Sequence, residues 1–393
     1  MHPPLLPSIA DDIAAMPRSG IREIMDAFWQ TPGAIPLMTG EPNFPTPPHV
    51  VDAAARAARD GKTGYVQNSG IPELRDALAE KIRTRNHYHA KAENIIVGAG
   101  GVQVLQATFA ALLAPGDGIL LPDPGWPNFR MMAAMQRARV QPYVLTAEND
   151  WLPTAELLDR AADASTRVLL LNSPSNPLGS VIGRARMAEI VELAERRGWW
   201  IVSDECYDEI TFNDAFCSAA EFADLERTIS IYTFSKSYAM TGWRVGYAVA
   251  RESAALQIAK LQEPLISCVN VPAQYAALAA LQGPHEVVET MVAAYRGRRD
   301  SVCAQFAAAG IPVLVPDGAF YVWADVRAQP LPSREYALHL LREHGVAVAP
   351  GSAFGAAGEG YMRISLATEP SLLREGVDRI CAASTRVERL NAR

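Results

Sequence analysis

From residue 48 to residue 234 short apolar runs alternate with amphipathic stretches of helical length. Helical periodicity covers 50–59, 71–85, 102–113, 154–162 and 184–197, and strand-like runs fall at 94–97, 119–121, 141–145, 167–171, 199–203 and 229–234. Strands separated by helices run parallel, because a crossover of that length returns the chain to the same edge of the sheet. Parallel strands are buried on both faces, and runs such as Val168 to Leu171 and Ile229 to Phe234 read that way, apolar or β-branched at most positions. The expected fold class is α/β, a mainly parallel sheet with helices on both faces.

After residue 236 the pattern changes. Helical stretches at 251–281, with an interruption expected near Pro264, and at 285–309 precede shorter strands at 311–315, 319–325, 346–349 and 361–366. This reads as a smaller α+β domain, and 393 residues suffice for two cores with a cleft between them. The expected division is a large domain at 46–282 and a small domain formed by 283–393 together with 1–45. The N-terminal segment carries one amphipathic helix, 21–29, and the turn cluster Thr39-Gly40-Glu41-Pro42-Asn43, whose glycine leaves backbone open to close approach.

Bulk charge narrows the function classes. A formal charge of -7 and a pI near 5.6 give no electrostatic reason to expect nucleic acid or an anionic membrane as partner. Five cysteines without a Cys-x-x-Cys pair suit a reducing cytoplasm better than a disulfide framework or a zinc site. His87 and His89 could pair on a strand, but no third ligand is near in sequence, so no metal is expected. Residues 1–7 lack the positive charge of a signal peptide, and no apolar run reaches the roughly 18 to 20 residues of a membrane span. A cytoplasmic protein is expected.

Ligands in open α/β sheets bind beyond the carboxyl ends of the strands, so the residues after each strand matter most. The run 94–97 leads into Gly98-Ala99-Gly100-Gly101 and a helix, a geometry that points bare N–H groups at an anion. The run 167–171 leads into a turn, Asn172 to Gly179, with two amide side chains, and the run 199–203 into Asp204-Glu205-Cys206-Tyr207. The run 229–234 leads into Ser235-Lys236, with Arg244 downstream. Only five of the 36 Lys and Arg residues are lysines: Lys62, Lys81, Lys91, Lys236 and Lys260. Arginine is the default cation, and only lysine can shed its proton when desolvated and condense with a carbonyl. Lys236 is therefore the candidate for covalent chemistry.

Together these strand ends match what pyridoxal 5'-phosphate requires. Its aldehyde needs a lysine, its ring nitrogen an acid, its phenolic oxygen hydrogen-bond partners, and its phosphate a helix N-terminus with a cation. A dinucleotide fold is the competing reading of the glycine loop. However, Gln103 stands at the third glycine position, and Asp117 precedes the next strand instead of ending it.

Ser235-Lys236 with Gly242-Trp243-Arg244-Val245-Gly246 resembles the lysine signature of the class I and II aminotransferases, the fold-type I pyridoxal-phosphate enzymes. Asn172 to Gly179, Asp204-Glu205-x-Tyr207, Tyr65 with Gly70 and Leu74-Arg75, Gly100-Gly101-x-Gln103 and Met362-Arg363-Ile364-Ser365 resemble its other blocks, in the same order. The resemblance covers nearly the whole chain from Arg18 and falls closest to the prokaryotic branch of aspartate, neutral and aromatic amino acid transaminases.

It implies the following roles. Lys236 would carry the cofactor and then, freed by the amino acid substrate, act as the catalytic base. Asp204 would pair with the ring nitrogen, Asn176 and Tyr207 with the phenolic oxygen, and Trp126 would stack on the ring. Ser235, Arg244 and the backbone at Gly100, Gly101 and Val102 would hold the phosphate, joined by Tyr65 from a neighbouring subunit of a homodimer. Arg363 would clamp the substrate α-carboxylate, with Gly40 contributing backbone and Trp126 and Asn176 also touching substrate. In the strand 361–366, Arg363 and Ser365 alternate with Met362, Ile364 and Leu366, so the guanidinium points away from the apolar face.

The expected activity is transfer of an amino group between an L-amino acid and a 2-oxo acid by a ping-pong mechanism. Two positions depart from the family pattern. Leu178 stands where threonine is frequent, and Val102 stands where dicarboxylate-selective relatives often carry a basic residue, so a neutral or aromatic amino acid is expected. A lyase or decarboxylase on the same scaffold would use the same Lys236, Asp204 and Arg244, and spacing alone leaves it open. An effector domain of a transcription regulator is disfavoured, because the family blocks begin too early for a preceding winged helix and the charge is acidic.

Overall fold

The computed structural model describes residues 14, 16, 19–213 and 215–391, and the segment 1–7 considered above lies outside the described residues. In chain order the strands begin with β1 (Ile35–Pro36), β2 (Ile95–Gly98), β3 (Gly118–Asp123), β4 (Arg139–Val144), β5 (Thr166–Asn172) and β6 (Trp200–Asp204). They continue with β7 (Thr228–Thr233), β8 (Gly246–Val249), β9 (Val313–Leu314), β10 (Tyr321–Asp325), β11 (Val346–Ala347), β12 (Ala349–Pro350) and β13 (Tyr361–Ser365).

Seven strands form the large sheet, in the order β2-β8-β7-β6-β5-β3-β4. The pairs β3–β4, β3–β5, β5–β6 and β6–β7 are parallel, as the alternation requires. Side chains along β5 alternate between two cores: Val168 and Leu170 pack with Phe109 of the helix Gly101–Leu112, whereas Leu169 and Leu171 pack with Ile190 and Leu193 of the helix Arg184–Arg197. Helices therefore cover both faces.

β8 departs from the expected pattern. It runs antiparallel to both β2 and β7, because the chain turns back after Lys236 without a crossover helix. A Cβ at Gly246 would lie 2.3 Å from the backbone nitrogen of Gly101, so glycine lets β8 enter between β2 and β7 at the mouth of the glycine loop. The Lys236-to-Arg244 stretch is thus the connection of a hairpin, pinned at both ends by the central sheet.

A second, four-stranded antiparallel sheet has the order β12-β13-β10-β9, and β1 pairs in parallel with β11, Ile35 opposite Val346. The expected strand at 346–349 is in fact two short strands, β11 and β12, in different sheets. Pro264 lies inside the helix Glu252–Ile266, and the interruption falls later, at Ser267, whose φ of +57° ends the helix. Asn270 then caps the next helix, Val271–Gln282, its Oδ1 accepting from Ala273 N at 3.0 Å.

Candidate active site

Beyond the carboxyl ends of β5, β6 and β7 lies a cavity of about 210 Å³. Trp126, Asn172, Asn176, Asp204, Cys206, Tyr207 and Lys236 line it from the large sheet; Ile21, Met25, Met38, Gly40, Tyr321 and Arg363 close it from the terminal segments. Strand register explains the first group. Asn172 and Asp204 end their strands as direct neighbours, and Lys236 sits in a single turn, Phe234–Ser237, capped by Thr233 Oγ1, which accepts from Ser235 N at 3.1 Å.

Asp204 is 5% exposed and its Oδ1 accepts from Cys206 N at 3.2 Å. Burial raises its carboxyl above the usual range, opposed by Cys206 and the nearby Lys236 ammonium. Lys236 Nζ donates to the carbonyl of Gly40 at 2.6 Å, which ties the strand-end lysine to the N-terminal segment. Asn176 is buried, its backbone N donating to Asn172 Oδ1 at 2.8 Å. Tyr207 shares a hydrogen bond with the hydroxyl of Tyr321 at 2.8 Å, and burial pushes its phenol well above its ordinary value.

Arg363, on β13, is the most enclosed cation of the site at 2% exposure. Its Nη1 donates to Asn176 Oδ1 at 2.8 Å and its Nη2 to Met38 O at 2.6 Å. The guanidinium is sandwiched between Tyr321, 4.1 Å from the ring centroid, and Phe354 at 4.9 Å. Its Nε is buried without a hydrogen-bond partner, and no carboxylate among the described residues pairs with it. Burial pulls its pKa down, yet a guanidinium stays charged. A desolvated cation held by neutral acceptors is a receptor for an anion.

The glycine loop sits at the other end of Lys236. Gly100, at φ +79°, N-caps the helix Gly101–Leu112 and has no side chain to bond its first N–H groups. A Cβ there would lie 2.4 Å from Arg244 Nη2, so the guanidinium lies across the loop. Ser235, buried, accepts from Thr233 Oγ1 at 3.0 Å. Val102 is half-buried on that helix, packed with the core that also receives Trp126, and does not line the cavity. Trp126 stands edge-on to Phe129 at 5.3 Å and presents its ring to the cavity. Tyr65 lies apart from these groups, 89% exposed.

Several lining residues were not expected. Ile21 and Met25 are one turn apart on the helix Gly20–Trp29, Met38 follows β1, and Tyr321 comes from β10. The i, i+4 spacing of Ile21 and Met25 was the only sequence signal, and it reads equally well as core.

These residues fit pyridoxal 5'-phosphate. A buried acid at a strand end suits the ring nitrogen, a lysine within the same cavity suits the aldehyde, and an uncapped helix N-terminus beneath a guanidinium suits the phosphate. Among the described residues no group of three or more His, Cys, Asp or Glu could hold a metal, and no helix is long and apolar enough to cross a membrane.

Comparison with known proteins agrees with this arrangement. The family model "Aminotransferase class I and II" matches residues 32–380. A probable aspartate/prephenate aminotransferase of Aquifex aeolicus is 38% identical over 350 residues, 87% of this chain and 88% of that protein. Aspartate aminotransferase from Thermus thermophilus, solved with maleate, superposes with a TM-score of 0.91 at 34% identity, covering 96% of this chain and all of the other (100%). Aromatic aminotransferase from Pyrococcus horikoshii superposes with a TM-score of 0.88 at 33% identity, covering 92% of this chain and 99% of its own. With the lysine, acid and glycine loop at the ends of the expected strands and the enclosed arginine within β13, the chain belongs to the class I and II aminotransferases, fold-type I enzymes that use pyridoxal 5'-phosphate.

Proposed function

We infer that this aminotransferase takes neutral or aromatic amino acids as donors and passes the amino group to a 2-oxo acid. The observation that carries the reading is the pairing of one buried guanidinium with an apolar wall. Arg363 accounts for one carboxylate, while Ile21, Met25 and Met38 line the same cavity, and Lys236 is the only other cation among its described lining residues. A second substrate carboxylate would find no further guanidinium among this chain's described lining residues. The relatives' names include both aspartate and aromatic substrates, so the wall chemistry is the discriminating feature.

The roles follow from position. Arg363 would hold the α-carboxylate through its two Nη groups, with Gly40 and Asn176 beside it and Trp126 covering the ring. Asp204 would hold the ring nitrogen protonated, and Asn176 and Tyr207 would bond the ring oxygen. Ser235, Arg244 and the N–H groups of Gly100, Gly101 and Val102 would hold the phosphate. The bound cofactor supplies an electron sink, which lets the α-proton leave. Lys236 Nζ, once free, would take that proton and return it on the cofactor side. The cavity's own closure, with residues 1–45 and 283–393 taken as a body moving against 46–282, would exclude water.

Tyr65 supports a homodimer with shared sites, because an aromatic side chain 89% exposed, midway along the connection between the helices Pro48–Arg59 and Pro72–Arg85, is free for contact with another subunit. Five widely spaced cysteines without a Cys-x-x-Cys pair support a reducing, cytoplasmic setting. Nothing in the cavity favours the lyase or decarboxylase reading. A panel of amino donors with pyruvate and 2-oxoglutarate as acceptors tests the proposal. Phenylalanine, tyrosine or leucine should exceed aspartate in kcat/KM, and aspartate outrunning every neutral donor would overturn it.

A further inference from the structure

Two of the five lysines are withdrawn from solvent. Lys236 belongs to the site; Lys81, only 6% exposed, lies on the helix Pro72–Arg85 and has no part in any role above. Its ammonium pairs with the carboxylate of Asp208 and lies 4.8 Å from the ring centroid of Tyr232. Asp208 also accepts from Asn86 Nδ2 at 3.0 Å. Next in sequence, Glu209 accepts from Arg85 Nη1 at 2.7 Å, and the same nitrogen donates to Tyr238 Oη at 2.9 Å. The end of one helix thus grips both the turn that carries Tyr207 and the segment that follows Lys236.

Burial alone would pull the Lys81 ammonium pKa down, but Asp208 and Glu209 outweigh it and hold it up. An ion pair this deep seldom stabilises a fold more than apolar side chains of the same volume would. Stability therefore gives little reason for charge here, whereas directed bonds give a reason: they fix where the turn 206–210 sits. None of the four charged groups lines the cavity, so any effect on chemistry passes through the segment that follows Lys236 or through the turn that carries Tyr207, whose hydroxyl reaches Tyr321 on the opposite side.

We propose that Lys81 and Asp208, with Arg85 and Glu209 beside them, are positioning residues that hold Tyr207 in register with Lys236 across the floor of the cavity. The proposal rests on the reading of Tyr207 as a partner of the bound ring. It is tested on holoenzyme with the variants Tyr207→Phe, Lys81→Met/Asp208→Leu and Asp208→Asn. The readouts are the rate of cofactor release after dilution and the pH midpoint of the visible absorbance band, alongside kcat, KM and melting temperature.

The apolar double variant is expected to melt close to the parent, to release cofactor roughly tenfold faster, and to move the band midpoint in the same direction as Tyr207→Phe. If Tyr207→Phe leaves release and midpoint unchanged, the reading of Tyr207 fails and the proposal fails with it. If Tyr207→Phe moves them and the double variant matches the parent, the ion pair is packing alone; the proposal is overturned while the site reading stands. Should the double variant not fold, Asp208→Asn, which keeps an acceptor for Asn86, takes its place with the same readouts: a change of about threefold supports the proposal, and parent-like behaviour overturns it.

Discussion

Glu205 stands next to the acid of the site but faces away from the cavity, at 1% exposure. Its carboxylate accepts from Tyr232 Oη at 2.6 Å and Ser218 Oγ at 2.8 Å, and burial still pushes its pKa up from 4.5 to about 7. A folded-state pKa above the unfolded value means the folded protein binds the extra proton between those two pH values. The contribution to stability is therefore whole below about pH 4.5 and is lost as pH rises through about 7. The loss amounts to at most about 3 kcal/mol. Replacing Glu205→Gln should flatten that slope, and melting curves of both proteins from pH 4.5 to 8 check it: parallel slopes would exclude the assignment. Residue chemistry of this kind was only partly legible in the sequence. Asp204 was readable as an acid ending an apolar run, but nothing in the order of letters said that its neighbour would be buried against Tyr232.

Elements were legible where their periodicity was unmixed. β5, β6 and β7 are buried on both faces and rich in apolar and β-branched residues, so their ends, and with them Asn172, Asp204 and Lys236, could be placed from the sequence. β8 was not, because an antiparallel strand inserted by a hairpin follows no helix and carries a glycine chosen for contact with Gly101. The helix Gly20–Trp29 was visible as amphipathic, yet which of its faces meets ligand and which meets core depends on tertiary packing: Ile24 is buried while Ile21 and Met25 look into the cavity. Truncating that face gives a prediction. Met25→Ala should lower kcat/KM for phenylalanine or leucine by roughly five- to twentyfold, the worth of one or two lost methylene contacts, and leave alanine as donor nearly unchanged. Equal losses for large and small donors would remove Met25 from the side-chain pocket.

At the scale of the molecule, the site is assembled from segments far apart in sequence: Gly40 and Lys236 bond directly, and Arg363 reaches both Met38 and Asn176. Such long-range closure leaves no local signature, which is why Tyr321 and Met38 went unread while the strand-end residues did not. Tyr65 carries the proposal that two subunits share their sites. If it serves the neighbouring subunit, Lys236→Ala and Tyr65→Ala have complementary lesions, since a hybrid dimer carries one site with both changes and one with neither. Mixing the two variants under subunit exchange should recover roughly a quarter of parent activity, measured against each variant alone. No recovery would mean that Tyr65 acts within its own chain or not at all.

The two sheltered lysines also shape how the protein can be handled. Lys62, Lys91 and Lys260 are exposed, Lys81 is buried beside Asp208, and Lys236 is half-enclosed with its Nζ on Gly40. Amine-directed labels, crosslinkers and immobilising supports, which also take an α-amino group, therefore meet three exposed lysines on an otherwise arginine-coated surface, and they reach those before the half-enclosed Lys236.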